Sequence, residues 1–224
     1  MPFMKSQRLK DTYFSLVRPV TKVNYIFHRW LSQFPSNNNH KDGIWVNLGS
    51  GKKYLDGFVN IEGNLFYKKD IWLDIRNGLP FPDNSVDALY ACHLFEHFYV
   101  SELVKILFEI HRILKPEGGV RILVPSLEQA IDAYLRGGKE WFSDFPSAYE
   151  SLGGRFSNFL LCDGQHRIVF DYSFLEELLK KTGFSNMRKQ ELKISNFFPY
   201  EVMERIEDSE AEHIQTSLIV EGKK

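Results

Sequence analysis

The sequence predicts an α/β fold with a doubly wound, mostly parallel sheet. Short apolar runs with the length of strands alternate with amphipathic segments that have the period of helices, and turn residues separate them. Alternation of this kind is typical of strands joined by right-handed crossovers. The predicted strands are 44–48, 58–62, 70–74, 86–91 and 120–124. Two further candidates, 187–194 and 214–221, follow near the carboxyl end, where we expect an antiparallel strand.

Three predicted helices begin at residues that are typical N-caps. Ser101 is the candidate cap of a helix that ends before Pro116. Ser126 and Gln129 have the spacing of a capping box, and a second capping box begins at Ser173. Together with the strands, these helices predict a Rossmann-like arrangement over residues 43–224.

Residues 1–42 form a basic N-terminal arm ahead of this domain. They contain seven Lys/Arg residues and two acids. The apolar residues of the arm fall on one face of an amphipathic helix, and a linker from Pro35 to Asn39 ends it. This face comprises Val23, Ile26, Phe27, Trp30, Leu31 and Phe34. We expect the helix to dock on the domain; a lid over the substrate side and a membrane-surface or partner helix are the alternatives.

Residues 138–172 are rich in aromatic side chains but have no clean helical or strand period. They follow the fifth predicted strand, and an insertion at that point lies on the ligand side of such a sheet. We therefore predict that 138–172 is a substrate cap.

Composition excludes several classes of partner. The net charge of −1 gives no overall basic field, so nucleic acid is not expected as a partner. Cys92 and Cys162 lack the spacing of a zinc site, which predicts two reduced thiols. No apolar run approaches the roughly 20 residues that span a membrane, and no signal peptide is evident. We expect a soluble, cytoplasmic protein, and the sequence leaves its oligomeric state open.

The segment 45–62 predicts a nucleoside site. One strand ends in the turn Gly49–Gly51, and the next strand ends in Glu62. The glycines let the backbone approach a ligand closely, and the carboxylate can accept hydrogen bonds from both ribose hydroxyls. Tyr54 occupies the place of the third small residue of a dinucleotide fingerprint, and no Gly-Lys-Ser/Thr follows. A dinucleotide site and a P-loop are therefore both disfavoured.

Polar residues also end the third and fourth strands. Asp74 ends the third, where an acid can reach the exocyclic amine of an adenine, and His93, Glu96 and His97 follow the fourth. Two histidines at i and i+4 are compatible with a metal site. The His-Glu-x-x-His order is absent, however, so no metal is predicted. The alternative for His97 is a histidine at a helix start whose ring is satisfied by the backbone.

Six motifs occur in one order along the chain. They are NLGSG, VNIE, LDI, LPFPDNSVD, EIHRILKPEGG and VP, between residues 47 and 125. In this order they resemble the class I S-adenosylmethionine-dependent methyltransferases. The resemblance is closest to the type 11-like branch that is often associated with polysaccharide and surface-sugar biosynthesis. It runs from about 45 to 126 and resumes over about 163–190, roughly half of the chain.

The resemblance implies S-adenosylmethionine as cofactor and assigns positions that would bind it. These positions are Asn47, Leu48, Gly49, Ser50, Gly51, Glu62, Asp74, Ile75 and His93. Asn47 departs from the pattern, because many members have an acid there. Its amide carbonyl can still accept a hydrogen bond from the methionine amino group.

The resulting hypothesis is a methyltransferase that acts on a small-molecule or sugar-containing acceptor. Transfer from a sulfonium depends mainly on positioning, but an oxygen acceptor would benefit from a general base. His93, His97 and His166 are the candidates, with Glu96 able to orient a histidine. The alternative is a non-catalytic cofactor-binding or protein-interaction module of the same fold. An NAD-dependent oxidoreductase fits less well, because the third glycine and a Tyr-x-x-x-Lys pair are missing.

Overall fold

A computed structural model describes residues 7–31, 43–207 and 215–224, and a seven-stranded sheet lies at the centre of these ranges. The strands are β1 (Trp45–Leu48), β2 (Val59–Glu62), β3 (Ile71–Trp72), β4 (Val86–Cys92), β5 (Leu114–Pro125), β6 (Ser185–Lys189) and β7 (Ser217–Lys223). The helices are α1 (Gln7–Leu31), α2 (Val100–Ile113), α3 (Leu127–Leu135), α4 (Leu152–Leu161), α5 (Tyr172–Lys181) and α6 (Tyr200–Glu207).

The sheet has the order β3-β2-β1-β4-β5-β7-β6. Strands β1 to β5 pair in parallel, whereas β7 is antiparallel to both β5 and β6. The predicted α/β, Rossmann-like sheet with an antiparallel C-terminal strand is confirmed. The direction of strand addition reverses between β1 and β4, and ligands bind outside the carboxyl ends of the strands at such a point.

Apolar residues cover both faces of the sheet. On one face α2 and α5 pack their leucine and isoleucine stripes against the strands, with Leu107 and Leu179 fully buried. On the other face α6 packs Met203 and Ile206 against strand residues that include Tyr90. This two-sided burial explains why the inner strands are apolar on successive residues.

A fully buried arginine holds the C-terminal elements to β5. The Arg121 guanidinium donates to both carboxylate oxygens of Glu207, at 2.8 and 3.0 Å, and to Oε1 of Glu221 at 3.1 Å. It also donates to the carbonyls of Ile194 and Glu191. All three charged side chains are at most 2% exposed, so each depends on the others to remain ionised in the core.

Several element boundaries differ from the predictions. Helix α2 begins one residue before the predicted cap Ser101, and α5 is capped by Asp171 rather than Ser173. Asp171 is the N-cap because its carboxylate accepts the Phe174 N–H at 2.8 Å, while the Ser173 hydroxyl donates to that same carboxylate. The Ser126 cap is confirmed, since its hydroxyl accepts the N–H of Gln129.

Helix α1 is longer than the predicted helix and docks by its opposite face. Thr21 is fully buried, Asn24 donates to the Trp72 carbonyl at 2.7 Å, and Tyr13 donates to the Gly63 carbonyl at 3.1 Å. Val23, Ile26, Phe27 and Trp30 of the predicted apolar face are exposed instead, because polar bonds to the ends of β2 and β3 decide which face turns inward. Phe34 and the linker Pro35–Asn39 lie outside the described residues.

Within the described ranges, no helix combines the length and the apolarity that crossing a membrane requires.

Candidate functional site

Two adjoining cavities lie at the carboxyl ends of β1, β2 and β4. The smaller, about 320 Å³, contains Glu62, Asp74 and Ile75 in its lining. The larger, about 690 Å³, extends from Asn47 and Ser50 to the segment after β5. The two cavities share part of their lining. The shared residues are Lys10, Gly49, Gly51, His93, His97 and Gln165.

The turn after β1 contains two glycines in the left-handed region. Gly49 has φ +69° and Gly51 has φ +54°. The N–H groups of Gly49 and Ser50 both donate to the Ile61 carbonyl, at 2.9 and 3.1 Å, which folds the turn over the end of β2. A Cβ atom at position 49 would lie 2.5 Å from Leu94 Cδ1. Glycine is therefore required at 49 by the backbone angle and by the close approach of Leu94.

Glu62 links this turn to the loop after β2. Its Oε2 accepts the Gly51 N–H at 2.7 Å, and its Oε1 accepts the Asn64 N–H at 2.6 Å. Burial raises the pKa of the Glu62 carboxyl, and the two backbone donors oppose that rise. Each carboxylate oxygen retains a lone pair, so the fixed carboxylate can accept two ribose hydroxyls.

Asn47 and Ser50 supply polar atoms to the larger cavity. The Asn47 amide donates to the Lys53 carbonyl at 3.0 Å and to Asn60 Oδ1 at 2.9 Å, which identifies its nitrogen. The remaining Oδ1 is a hydrogen-bond acceptor suited to an ammonium group. The Ser50 hydroxyl is buried and has no hydrogen-bond partner among the described residues. An orphaned hydroxyl in this lining fits a ligand with its own polar atoms, such as the amino-acid end of S-adenosylmethionine.

The acid at the end of the third predicted strand is already occupied by an arginine. The Arg76 guanidinium binds both oxygens of Asp74, at 2.9 and 2.6 Å, and Asp74 also accepts the Arg76 backbone N–H. The Asp74 carboxylate therefore has little remaining capacity for an adenine amine. Ile75 lines the smaller cavity, whereas the side chain of Leu48 belongs to the core and lines neither cavity.

The N-terminal arm closes one side of the smaller cavity. Lys10, Asp11 and Phe14, all near the start of α1, contribute to the lining. Lys10 also donates to the side chain of Gln165, and Asp11 forms an ion pair with Arg167 at 3.0 Å. The later part of α1, from Val23 onward, lines neither cavity.

Residues of the 138–172 segment form much of the wall of the larger cavity. They are Trp141, Ser143, Phe145, Asn158, Phe159, Cys162, Gln165 and His166. Trp141 and Phe159 lie edge to face, with 5.0 Å between ring centroids, and both pack on a small separate core with Phe142. The wall is therefore aromatic with a few polar atoms, as ligand cavities usually are.

Three histidines surround a buried carboxylate between the two cavities. Glu96 is 1% exposed, and His93 Nδ1 lies 3.4 Å from its Oε1. The other ring nitrogen of His93 lies 2.9 Å from the Ser217 hydroxyl. His97 and His166 lie edge to face with centroids 5.2 Å apart. The structure thus brings together all three histidines that the sequence proposed, although His166 comes from the far end of the insertion.

The electrostatics of this cluster favour an ionised Glu96. Burial alone would raise the pKa of Glu96, but the neighbouring His93, His97 and His166 lower it to about 2. Burial lowers the pKa of His166 to about 4, so its imidazole is neutral at pH 7. A permanent carboxylate beside His93 stabilises the imidazolium that forms when His93 accepts a proton.

Sequence reasoning missed several residues of the cavity walls. Lys10, Phe14, Asn64, Tyr67 and Gln165 line the smaller cavity. The polar spacing of α1 could have identified its docking face, but the apolar stripe was the stronger signal. Nothing local marks Gln165, because its position depends on how the insertion folds back over β4.

Comparisons with known proteins agree with this geometry. Residues 67–122 match a family model described as a methyltransferase domain. No curated protein sequence matches the chain significantly. Similar folds occur in solved structures that are between 13% and 16% identical to the chain.

One is a SAM-dependent methyltransferase from Archaeoglobus fulgidus (TM-score 0.50, 14% identity, 90% of this chain and 93% of that one). A second is a SAM-dependent methyltransferase from Thermotoga maritima, described as a possible histamine N-methyltransferase (TM-score 0.50, 16% identity, 97% of this chain and 95% of that one). A third is the plantazolicin methyltransferase BpumL in complex with SAH (TM-score 0.50, 13% identity, 99% of this chain and 91% of that one).

The match over residues 67–122 confirms the prediction of a methyltransferase domain, and the solved structures share its fold. Neither identifies the acceptor.

Proposed function

We propose that this S-adenosylmethionine-dependent methyltransferase methylates a hydroxyl group of a sugar-containing or other small-molecule acceptor in the larger cavity. The observation that carries the proposal is the junction of the two cavities at His93. One cavity has the fixed carboxylate of Glu62 that suits a ribose. The other has an aromatic wall and about 690 Å³ of space. His93 lines both.

The chain contains residues that would hold the cofactor. Glu62 would accept the ribose hydroxyls, Asn47 Oδ1 the amino group, and Ser50 would bond to the carboxylate. The glycine turn leaves room for the ligand beside the backbone. When bound, S-adenosylmethionine supplies a methyl group on a positively charged sulfur. An oxygen nucleophile can attack this methyl carbon in line as the carbon–sulfur bond breaks, which leaves S-adenosylhomocysteine.

His93 is the proposed general base. Its Nδ1 faces Glu96 at 3.4 Å, so a proton on Nδ1 would be oriented by the carboxylate, and Nε2 would carry the lone pair. In the structure the Ser217 hydroxyl, 2.9 Å from Nε2, occupies this lone pair, and the acceptor hydroxyl would replace it there. An acceptor hydroxyl that transfers its proton to Nε2 would gain nucleophilicity as its oxygen attacks the methyl carbon. General-base catalysis of this kind contributes roughly 100- to 10,000-fold.

The 138–172 segment is proposed as the cap that selects the acceptor. Trp141 and Phe159 line the larger cavity, and aromatic side chains suit the apolar face of a sugar ring. Asn158 and Gln165 supply polar groups for its hydroxyls.

Binding and turnover together test the proposal. Isothermal titration with S-adenosylmethionine and S-adenosylhomocysteine should give one site per chain. Transfer of a labelled methyl group to members of a panel of nucleotide sugars and glycosides should then identify the acceptor. His93→Gln should lower kcat by about 100-fold or more with little change in cofactor affinity. Cofactor binding without transfer to any acceptor would favour the non-catalytic alternative, and absence of cofactor binding would reject the enzyme assignment.

A second part of the proposal concerns the arm: its exposed apolar face rests on an anionic lipid surface. Trp30 is 81% exposed, Leu16 is 70% exposed and Val23 is 68% exposed. The other exposed apolar residues of this face are Leu9, Val20, Ile26 and Phe27. Arg18, Lys22 and Arg29 lie along the same helix, in which Asp11 is the single acid. An apolar face with basic residues beside it is the pattern of helices that lie in a membrane interface.

Vesicle co-sedimentation tests this contact. The protein should sediment with vesicles that contain phosphatidylglycerol more than with pure phosphatidylcholine, and high salt should reduce the difference. Replacing Val23, Phe27 and Trp30 by serine should abolish sedimentation, whereas Phe66→Ser with Leu135→Ser, two exposed apolar sites elsewhere, should not. A triple variant that still sediments would contradict the lipid proposal. A concentration-dependent dimer that the same variant dissociates, without vesicle binding, would show that the face binds a second copy instead.

A further inference from the structure

Three metal-ligating side chains converge on one point beside the His93 junction. One ligand atom from each of Glu96, His97 and His166 lies within 4.8 Å of the others. His97 is exposed and His166 is half-buried, so the point opens to the larger cavity that both of them line. The sequence alone could not predict this set, because His166 is far from His97 along the chain.

The backbone fixes the tautomers of both histidines. His97 Nδ1 lies 3.1 Å from the Gln165 carbonyl, and His166 Nδ1 lies 3.0 Å from the Leu160 carbonyl. A carbonyl oxygen can only accept, so each Nδ1 carries the hydrogen and each Nε2 carries the lone pair. An Nδ1–H bound to a backbone carbonyl is the usual support of a histidine that ligates a metal through Nε2.

The carboxylate in the cluster accepts no hydrogen bond of normal geometry from the residues that the structure describes. Both oxygens of Glu96 are shielded from solvent, and neither accepts a hydrogen bond from the described residues. The nearest cationic candidate is His93 Nδ1, 3.4 Å from Oε1. The ammonium of Lys10, which lines the same cavity, donates to Gln165 instead. A buried carboxylate without hydrogen bonds, with one nitrogen of His97 and one of His166 within 4.8 Å, would be stabilised by a bound cation.

We propose that Glu96, His97 and His166 bind a divalent transition-metal cation of the zinc, manganese or iron(II) class. Two imidazole nitrogens and one carboxylate oxygen form the three-ligand set that such ions use when further coordination positions stay open. One Glu96 oxygen would ligate the cation while the other faces His93. The open positions would receive the acceptor hydroxyl.

This inference rests on the proposed function, since the cation would act on the same acceptor. By polarising the hydroxyl oxygen, the cation would lower the pKa of the hydroxyl and ease transfer of its proton to His93. It would also fix the acceptor oxygen in one position relative to the methyl group.

Cobalt(II) titration tests the site without methyl donor or acceptor. Protein without a histidine tag is dialysed against a chelator, freed of it, and titrated with Co²⁺ while the visible absorption is recorded. We expect one Co²⁺ per chain, displaced by Zn²⁺. Glu96→Gln and His166→Gln should each weaken binding by about 100-fold or more, because loss of a direct ligand costs at least as much as the roughly 10- to 100-fold that loss of an outer-shell partner costs. His111→Gln, which changes a histidine outside the cavities, should leave it unchanged.

The outcomes separate the metal from the enzyme assignment. Absence of a stoichiometric Co²⁺ site, or equal affinity in wild type and both ligand variants, would overturn the metal proposal and leave methyl transfer intact. Stoichiometric binding that the ligand variants abolish would support it even if no acceptor were methylated. S-adenosylhomocysteine affinity, measured on each variant, shows that the fold around the turn is retained. If Glu96→Gln loses S-adenosylhomocysteine affinity, the Co²⁺ affinity of His166→Gln alone decides whether the metal proposal holds.

Discussion

Replacement of Glu62 by glutamine should weaken S-adenosylhomocysteine binding by about one to two orders of magnitude. The carboxylate is fixed by two backbone donors, Gly51 N–H at 2.7 Å and Asn64 N–H at 2.6 Å. Glutamine retains one oxygen, so its amide group must face one of these N–H groups. The variant therefore loses the negative charge, one backbone bond and one ribose acceptor.

The magnitude follows from the strength of hydrogen bonds to charged groups. Each contributes about 1.5–3 kcal/mol, and about 1.4 kcal/mol corresponds to a tenfold change in Kd. Loss of one ribose bond thus predicts a change of roughly 10- to 100-fold. Because burial raises the pKa of Glu62, wild-type affinity should also fall as the pH drops through that raised pKa, since the protonated acid loses its charge. The variant should lack this pH dependence.

Isothermal titration of wild type and variant with S-adenosylhomocysteine and its 2′-deoxy analogue measures the effect. Wild type should lose affinity for the deoxy analogue, and Glu62→Gln should bind the two ligands almost equally. Glu128→Gln makes the same charge change at an exposed ion pair with Lys189 and is the matched control. A Glu62→Gln protein that binds S-adenosylhomocysteine within twofold of wild type would refute the ribose role.

Three further predictions concern the turn, the buried ion network and a thiol. Gly49→Ala should destabilise the fold by about 1–2 kcal/mol in urea titration and weaken cofactor binding, because of its positive φ and the contact with Leu94. Arg121→Met should cost about 3–5 kcal/mol in the same assay, because two glutamates would remain buried without their partner. Burial raises the pKa of Cys162 to about 11, so iodoacetamide should modify it slowly at pH 8 and faster as pH rises.

The glycine and arginine variants each have a matched control, and a contrary result is defined for all three predictions. Gly153→Ala adds a methyl group where nothing lies within 4 Å and should be neutral or stabilising; an equal loss in both glycine variants would contradict the strain argument. Arg136→Met breaks an exposed ion pair and should change stability by about 1 kcal/mol or less. If Arg121→Met lowers the free energy of unfolding by no more than Arg136→Met does, the two buried glutamates do not depend on Arg121 for stability. Modification of Cys162 at the rate of a free cysteine at pH 8 would contradict its burial.

Local signals in the sequence determined the sheet and the turn. Alternating apolar runs place β1, β2, β4 and β5 within a few residues of their observed bounds, apart from the early start of β5 at Leu114. The glycine turn that the sequence predicts after β1 is present, with positive φ at Gly49 and Gly51. These features follow from chain-local chemistry, namely the period of side chains and the freedom of glycine. The role of each cofactor-binding position stays a prediction that the titrations above test.

Only the tertiary structure decided which distant residues meet. The sequence predicted that the apolar face of α1 would dock, but the part of that face from Val23 to Trp30 is exposed, because the polar face bonds to the carbonyls of Gly63 and Trp72. The sequence predicted from position that Asp74 contacts adenine, and the structure adds that Arg76 binds both of its oxygens, so the adenine contact stays a prediction. His166 joins Glu96 and His97 through the fold of the insertion. Hydrogen bonds and charge pairs between segments far apart in the chain leave no periodic pattern in the sequence. The sequence therefore identifies candidate residues of this site, and tertiary packing determines which of them meet.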